Sequence, residues 1–164
     1  MIKLVVLDVD GCLSDGGIIY SSELVEYKKF NVKDGFAIVH SKKLGLEFAI
    51  ITGRDSTIVK HRAKELGIAH LYQGVKDKLQ VLKTLCLELD ITLDEVAAIG
   101  DDLNDLKLLN SVGISFCPKD ATTHVAKEVD VVLSKNGGDA VVREMIEIVL
   151  AKNNQLENFL AQWR

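Results

Sequence analysis

Met1-Ile2-Lys3-Leu4-Val5-Val6-Leu7-Asp8-Val9-Asp10-Gly11 opens the chain with an apolar, β-branched run that stops at two carboxylates and a glycine. Apolar residues at consecutive positions mark a strand buried on both faces, the condition of a strand inside a parallel sheet covered by helices. Such sheets bind ligands at the carboxyl ends of their strands, so Asp8 and Asp10, two residues apart, emerge into the loop where chemistry is expected.

The same rhythm continues outward. Strands are expected at Lys3–Leu7, Leu46–Ile51, His70–Gln73, Val96–Ile99, Gly113–Phe116 and Val131–Leu133, with amphipathic stretches of helix length between them. This alternation predicts the α/β class with a Rossmann-like, doubly wound parallel sheet. Ser56 reads as the cap of a helix ending at Gly67, and Asp77 as the cap of a helix through Leu79, Leu82, Leu85, Cys86 and Leu89. Thr92 and Glu95 form a capping box. Gly138 to Leu150 reads as a helix with Val141, Val142, Met145, Ile148 and Val149 turned inward.

Gly17 to Val32 breaks the rhythm, alternating apolar and polar residues around Ser21-Ser22, and reads as a β-hairpin flap. Its Ile18, Ile19, Tyr20, Val25 and Tyr27 are too apolar for a free flap, so a partner subunit is expected to cover them. Asn153 to Arg164 reads as a polar, loosely held tail.

The 164 residues suit one domain spanning 1–164. A chain of this size removes roughly 70% of its extended surface from water, and 48% hydrophobic residues supply a core without staples. A net charge of −4 and 5% aromatic residues leave neither a basic footprint nor stacking platforms, so no nucleic-acid partner is expected. The first residues do not read as a signal peptide, and no apolar run approaches membrane-spanning length, so no membrane partner is expected either. Cys12, Cys86 and Cys117 are odd in number and far apart, which reads as reduced thiols in a cytoplasm, with Cys12 a spacer beside the site.

A second group of acids, Gly100-Asp101-Asp102-Leu103-Asn104-Asp105, again follows an apolar strand and so reaches the same edge of the sheet. Clustered acids repel unless a cation sits among them, and hard oxygen donors without nearby His or Cys spacing point to Mg²⁺. Thr52, in Ile50-Ile51-Thr52-Gly53-Arg54-Asp55-Ser56, stands at a strand end before a helix start, where a hydroxyl and free backbone N–H groups can hold an anion. Lys78 opens the helix after Gly74-Val75-Lys76-Asp77, placed to reach a phosphate as a point charge. Each feature alone has a bland reading; as an ordered set, each after an expected strand, they are specific.

In these four motifs the chain resembles the haloacid dehalogenase superfamily over residues 1 to about 150. Phe30-Asn31-Val32-Lys33-Asp34-Gly35, His70-Leu71-Tyr72-Gln73-Gly74 and Gly100-Asp101-Asp102-Leu103 resemble its branch that dephosphorylates 3-deoxy-2-keto sugar acids, and the absence of a cap domain agrees. The resemblance implies an Mg²⁺-dependent phosphatase acting on an octulosonate 8-phosphate or a nonulosonate 9-phosphate through an aspartyl-phosphate. It implies Asp8 as nucleophile, Asp10 as acid and base, Thr52 and Lys78 on the phosphate, and Asp8, Asp101 and the Asp10 carbonyl on the metal. Asp102 and Asp105 would orient Lys78 or water behind them. Lys33, Asp34, Gly35, Arg54 and Arg62 are the candidates for holding the sugar acid, Arg62 having the alternative of an ion pair with Glu65. Val39 and Asp139 stand where the octulosonate enzymes tend to carry Arg, which favours a nine-carbon substrate. The branch also implies a homotetramer in which hairpins and tails close a neighbour's site.

Two other classes compete. A phosphorylation-switched receiver domain shares a doubly wound sheet, an acidic pocket, Mg²⁺, a Thr and a Lys, but needs its acceptor Asp at the end of a middle strand, where this chain has Thr52 and Gln73. A catalytically silent assembly or sugar-acid-binding domain of the same branch predicts damaged motifs, and all four are intact.

Overall fold

In the computed structural model, which describes all 164 residues, six parallel strands form one sheet: β1 (Leu4–Leu7), β4 (Glu47–Ile51), β5 (His70–Tyr72), β6 (Val96–Ile99), β7 (Ile114–Cys117) and β8 (Val131–Val132). Each lies within one residue of its expected bounds. The short strands β2 (Ile19–Tyr20) and β3 (Glu26–Tyr27) pair antiparallel outside the sheet.

The sheet runs β5-β4-β1-β6-β7-β8. The chain thus winds outward from β1 to β5, returns past β1 to β6, and winds outward the other way. β1 sits at that reversal with β4 and β6 as neighbours, Leu7 opposite both Ile50 and Ile99. The loops after β1 and β6 diverge there and leave a crevice, the position at which doubly wound sheets bind ligands.

Alternate residues of each strand feed two cores. Val5, Leu7, Phe48, Ile50, Ala97 and Ile99 pack against α1 (Val32–Lys42), α2 (Thr57–Glu65), α6 (Val141–Lys152) and α7 (Leu156–Ala161). Leu4, Val6, Ala49, Ile51, Val96 and Ala98 pack against α3 (Lys78–Glu88), α4 (Leu106–Leu109) and α5 (Thr123–Ala126). Helices on both faces are why the strand residues are apolar in succession. In α6 the inward stripe is Val141, Val142, Met145, Ile146, Val149 and Leu150, and Ile148 stands at its margin.

The structure differs from the sequence reading in three places. The tail is docked: α7 buries Phe159 completely. Asn153 accepts from the Ile2 N–H at 2.9 Å and donates to the Ile2 carbonyl at 2.7 Å, and Gln155 donates to the Leu44 carbonyl. Leu156 and Leu160 pack beside Phe159, and the Trp163 ring lies 4.9 Å from that of Phe36, an i, i+3, i+4, i+7 stripe that the polar residues around it obscure in the sequence. Second, Ser56 stands at the N-cap of α2 but makes no cap bond; its hydroxyl donates to Glu26 instead. Third, the flap is shorter than Gly17–Val32, with two residues in each strand and Val32 opening α1. Its Ile18, Ile19, Tyr20, Val25 and Tyr27 are 44% to 54% exposed in the single chain.

Candidate active site

Four adjacent strands deliver the site. Asp8 follows β1, Thr52 follows β4, Asp101 follows β6 beyond Gly100, and Lys78 is the first residue of α3, after β5. Lys78 is 3% exposed, and its Nζ lies 2.7 Å from Asp8 Oδ1 and 2.6 Å from Asp105 Oδ1. Asp105 closes the arrangement from behind, because its Oδ2 accepts from the backbone N–H groups of Asp101 and Asp102 at 3.1 and 3.3 Å. One carboxylate therefore fixes both the cation and the loop carrying the second acid group. Asp102 caps the short 3-10 turn Leu103–Asp105 through Leu103 N–H and lines the cleft; it does not touch Lys78.

Glycines make this density possible. Gly11, with φ +91°, stands where a Cβ would lie 2.1 Å from Asp101 Oδ2, and a Cβ on Gly100 would lie 2.5 Å from the Asp105 carboxyl carbon. The connection before α6 packs onto the first loop: Gly138 N–H donates to the Cys12 carbonyl at 2.9 Å, and a Cβ on Gly137 would strike the Gly11 carbonyl oxygen.

Burial and crowding set the charges. Burial pushes Asp8 up to about 6 despite the Lys78 ammonium, with Asp105 adding to the rise. Burial, then the charges of Asp8, Asp105 and Asp102, push Asp101 up to about 7. Lys78 would be lowered by its own burial, but Asp8 and Asp105 outweigh this and hold it above its ordinary value. Carboxylates that resist ionising together mark a place short of positive charge. Ligand atoms of Asp8, Asp101 and Cys12 lie within 4.8 Å of one another. Burial, followed by Asp8, Asp101 and Asp105, pushes the Cys12 thiol well up, so Cys12 serves as an uncharged packing group and the donors available to a cation are hard oxygens. That set fits Mg²⁺.

The cleft has a volume of about 210 Å³ and no apolar lining residue. Asp8, Asp10, Thr52, Arg54 and Asp101 face it, and Asn104, which the sequence reading passed over, stands at its rim. Four of the expected sugar-acid residues lie elsewhere. Asp34 is buried in α1, where its Oδ1 accepts from the Arg143 N–H at 2.7 Å at the start of α6. Gly35 faces Arg62, whose Nη2 would lie 2.5 Å from an added Cβ. Arg62 lies over the Phe30 ring and pairs with Glu65 at 3.4 Å, and Lys33 is exposed in the first turn of α1. A helix starting at Val32 turns this run away from the cleft; the motif reads as a loop only if the flap extends through it.

In their place the flap brings residues the sequence reading did not single out. Lys28 Nζ lies 2.5 Å from Asp10 Oδ1 and 3.5 Å from Glu26 Oε1. Glu26 Oε2 accepts from Ser56 Oγ at 2.7 Å, and Arg54 donates to the Tyr20 hydroxyl at 3.0 Å. The signal was the alternation Val25-Glu26-Tyr27-Lys28, which puts two charged side chains on one face of a strand and two apolar ones on the other.

The sequence pattern of the haloacid dehalogenase-like hydrolases matches residues 70–145. The chain is also 40% identical over 161 residues to the 3-deoxy-D-manno-octulosonate 8-phosphate phosphatase KdsC of Escherichia coli K12, covering 98% of this chain and 86% of that protein. It belongs to the haloacid dehalogenase-like hydrolases. Among members of that family, the 3-deoxy-D-manno-octulosonate 8-phosphate phosphatase of Moraxella catarrhalis, whose crystal structure holds magnesium, phosphate and KDO, superposes with a TM-score of 0.96 at 44% identity, covering 99% of this chain and 94% of that one. The cobalt-bound phosphatase of Haemophilus influenzae superposes with a TM-score of 0.90 at 35% identity, over 94% and 91% of the two chains. The expected sheet and the expected family are thus both present.

Proposed function

We propose that this protein is an Mg²⁺-dependent phosphomonoesterase acting on 3-deoxy-D-manno-octulosonate 8-phosphate, with Asp8 as nucleophile. The observation that carries the reading is the buried contact of Lys78 with Asp8 and Asp105 beside Asp101, an acid cluster with one fixed cation and room for a second. Asp8, Asp101 and the backbone carbonyl of Asp10 would hold Mg²⁺. When bound, the ion offsets the repulsion between a carboxylate and a phosphate dianion and stabilises charge on the phosphoryl oxygens.

An Asp8 oxygen attacks phosphorus, the bond from phosphorus to the ester oxygen breaks, and that oxygen leaves with the electron pair and takes a proton from Asp10. The chain then carries an aspartyl-phosphate. Asp10, now a carboxylate, takes a proton from water as the water oxygen attacks phosphorus; the phosphorus bond to Asp8 breaks, releasing phosphate and restoring the enzyme. Lys78 and the Thr52 hydroxyl steady the phosphoryl oxygens, Asp105 holds Lys78, and Arg54 meets the sugar acid at the rim. Asn104 joins the phosphate's surroundings.

The relatives favour the eight-carbon acid. Val39 and Asp139, the residues that suggested nine carbons, bear on neither side of the cleft: Val39 lies on the outer side of α1 and Asp139 beside a separate depression near Asp120. Kinetics with Mg²⁺ on eight- and nine-carbon acid phosphates decide the substrate, with the octulosonate ester expected to give the higher kcat/KM. Failure on every phosphomonoester, including a generic aryl phosphate, would leave the assembly domain as the reading.

The active form is a cytoplasmic homotetramer in which a neighbour covers the exposed flap residues. Three free, buried cysteines suit a reducing compartment. Light scattering of the active protein is expected to give four copies, and an active monomer at micromolar concentration refutes the assembly.

A further inference from the structure

The flap turns its polar side inward. Lys28 has a side chain only 1% exposed, and a buried ammonium is tolerated only with counter-charge. Two carboxylates reach it, Asp10 and Glu26. Glu26 is itself tied down on its other oxygen by Ser56, the residue that leaves the α2 N-cap bond unmade. A chain of contacts therefore runs from the start of α2 through Ser56, Glu26 and Lys28 to one oxygen of Asp10. The other oxygen, Oδ2, lies 3.9 Å from Arg54 Nε, and both Asp10 and Arg54 line the cleft.

We propose that Lys28 is a positioning residue for Asp10, occupying Oδ1 so that Oδ2 alone exchanges protons with the leaving oxygen and with water. The inference rests on the phosphatase reading above. A carboxylate free to rotate presents either oxygen in many orientations, whereas one clamped by a buried ammonium presents a single oxygen at a fixed angle, and proton transfer depends on such alignment. The flap then contributes to both halves of the reaction through one side chain.

The two halves can be separated by leaving group. An alkyl phosphate needs a proton on its leaving oxygen, whereas nitrophenolate leaves without one; hydrolysis of the aspartyl-phosphate needs Asp10 as base in both cases. Lys28→Met, assayed with Mg²⁺, is expected to lower kcat on an alkyl phosphate by about 10- to 100-fold with KM within about threefold of wild type. With p-nitrophenyl phosphate the same variant is expected to give a burst of nitrophenolate followed by a slow phase, and acid quenching should trap phosphate on the protein. Lys28→Arg should restore most of the alkyl phosphate rate. The ratio of the two rates on one sample does not depend on the folded fraction, and the burst amplitude counts intact sites, so partial misfolding does not imitate the result. Equal losses on both substrates without a burst, a change confined to KM, or unchanged kcat overturns the proposal. Wild-type protein inactive on both substrates overturns the phosphatase reading instead, and this inference with it.

Discussion

Gly11 stands against Asp101 so closely that a Cβ on Gly11 would lie 2.1 Å from the carboxylate oxygen Oδ2, at a backbone φ of +91° that side chains rarely adopt. The first acid loop therefore leaves no volume between itself and the second. Gly11→Ala should displace Asp101 and distort the loop together, abolishing the gain in Tm that Mg²⁺ gives the wild type and lowering kcat by about 100-fold or more, in the range of lost metal and acid–base chemistry. Calorimetry with and without Mg²⁺ reads the first effect. Retention of the full Mg²⁺ shift would show that the loop can yield.

Metal binding should depend on pH with a definite sign. Asp8 and Asp101 are raised to about 6 and about 7 in the metal-free protein, so their ionisation opposes folding. Their contribution to metal-free stability falls as pH rises from about 4 toward 7. A cation requires both ionised, so the Tm gain from a fixed Mg²⁺ concentration should be larger at pH 8 than at pH 5.5. A gain independent of pH would mean that these carboxylates are not the ligands.

Asp34 provides a test away from the cleft. Burial raises it to about 6, outweighing the Arg143 N–H, and its Oδ2 is buried without a partner. The rise from the usual 3.8 corresponds to roughly 3 kcal/mol withheld above pH 6 and returned as pH falls toward 4. Asp34→Asn keeps an acceptor for Arg143 without the charge. Denaturant melts at pH 8 and pH 5 should show a smaller stability difference in the variant than in wild type, and an identical difference would exclude Asp34 as its source.

Arg54 is the one expected sugar-acid cation that faces the cleft. A charge-assisted hydrogen bond is worth about 1.5–3 kcal/mol. Arg54→Ala should therefore lower kcat/KM for the octulosonate ester by about 10- to 150-fold, and for an aryl phosphate lacking the carboxylate by much less. Equal losses on both substrates would assign Arg54 to the phosphate or, through Tyr20 and Glu26, to the flap.

Apolar runs at the strands were legible because burial on both faces demands them, and the acids after β1 and β6 because few other structures place charges directly behind such runs. Lys78 was legible by its position at a helix start. Its contact with Asp105 was not, since nothing in sequence spacing sets a distance between α3 and the loop after β6. Lys33, Asp34, Gly35 and Arg62 lie away from the cleft for a related reason: their nearness to the flap in sequence is undone by α1 turning inward, so Asp34 meets Arg143 across 109 positions. Lys28 carried a signal, but a charge on a surface hairpin is ordinarily solvated, and its burial follows from where the flap lands.

The packing of Gly137 and Gly138 onto Gly11 and Cys12 joins one of the last loops of the chain to the first. During synthesis Asp8 and Asp10 leave the ribosome well before their partners, and the loop that carries them lacks its outer wall until residue 138 has followed, more than 120 positions later. A growing chain therefore carries Asp8 and Asp10 without Lys78 for 68 further positions and without Asp101 for 91. Long-range closures of this kind form late. Catalytic competence is thus gained only once the residues before α6 have been made, and a chain truncated before α6 should have the nucleophile but no organised loop to present it.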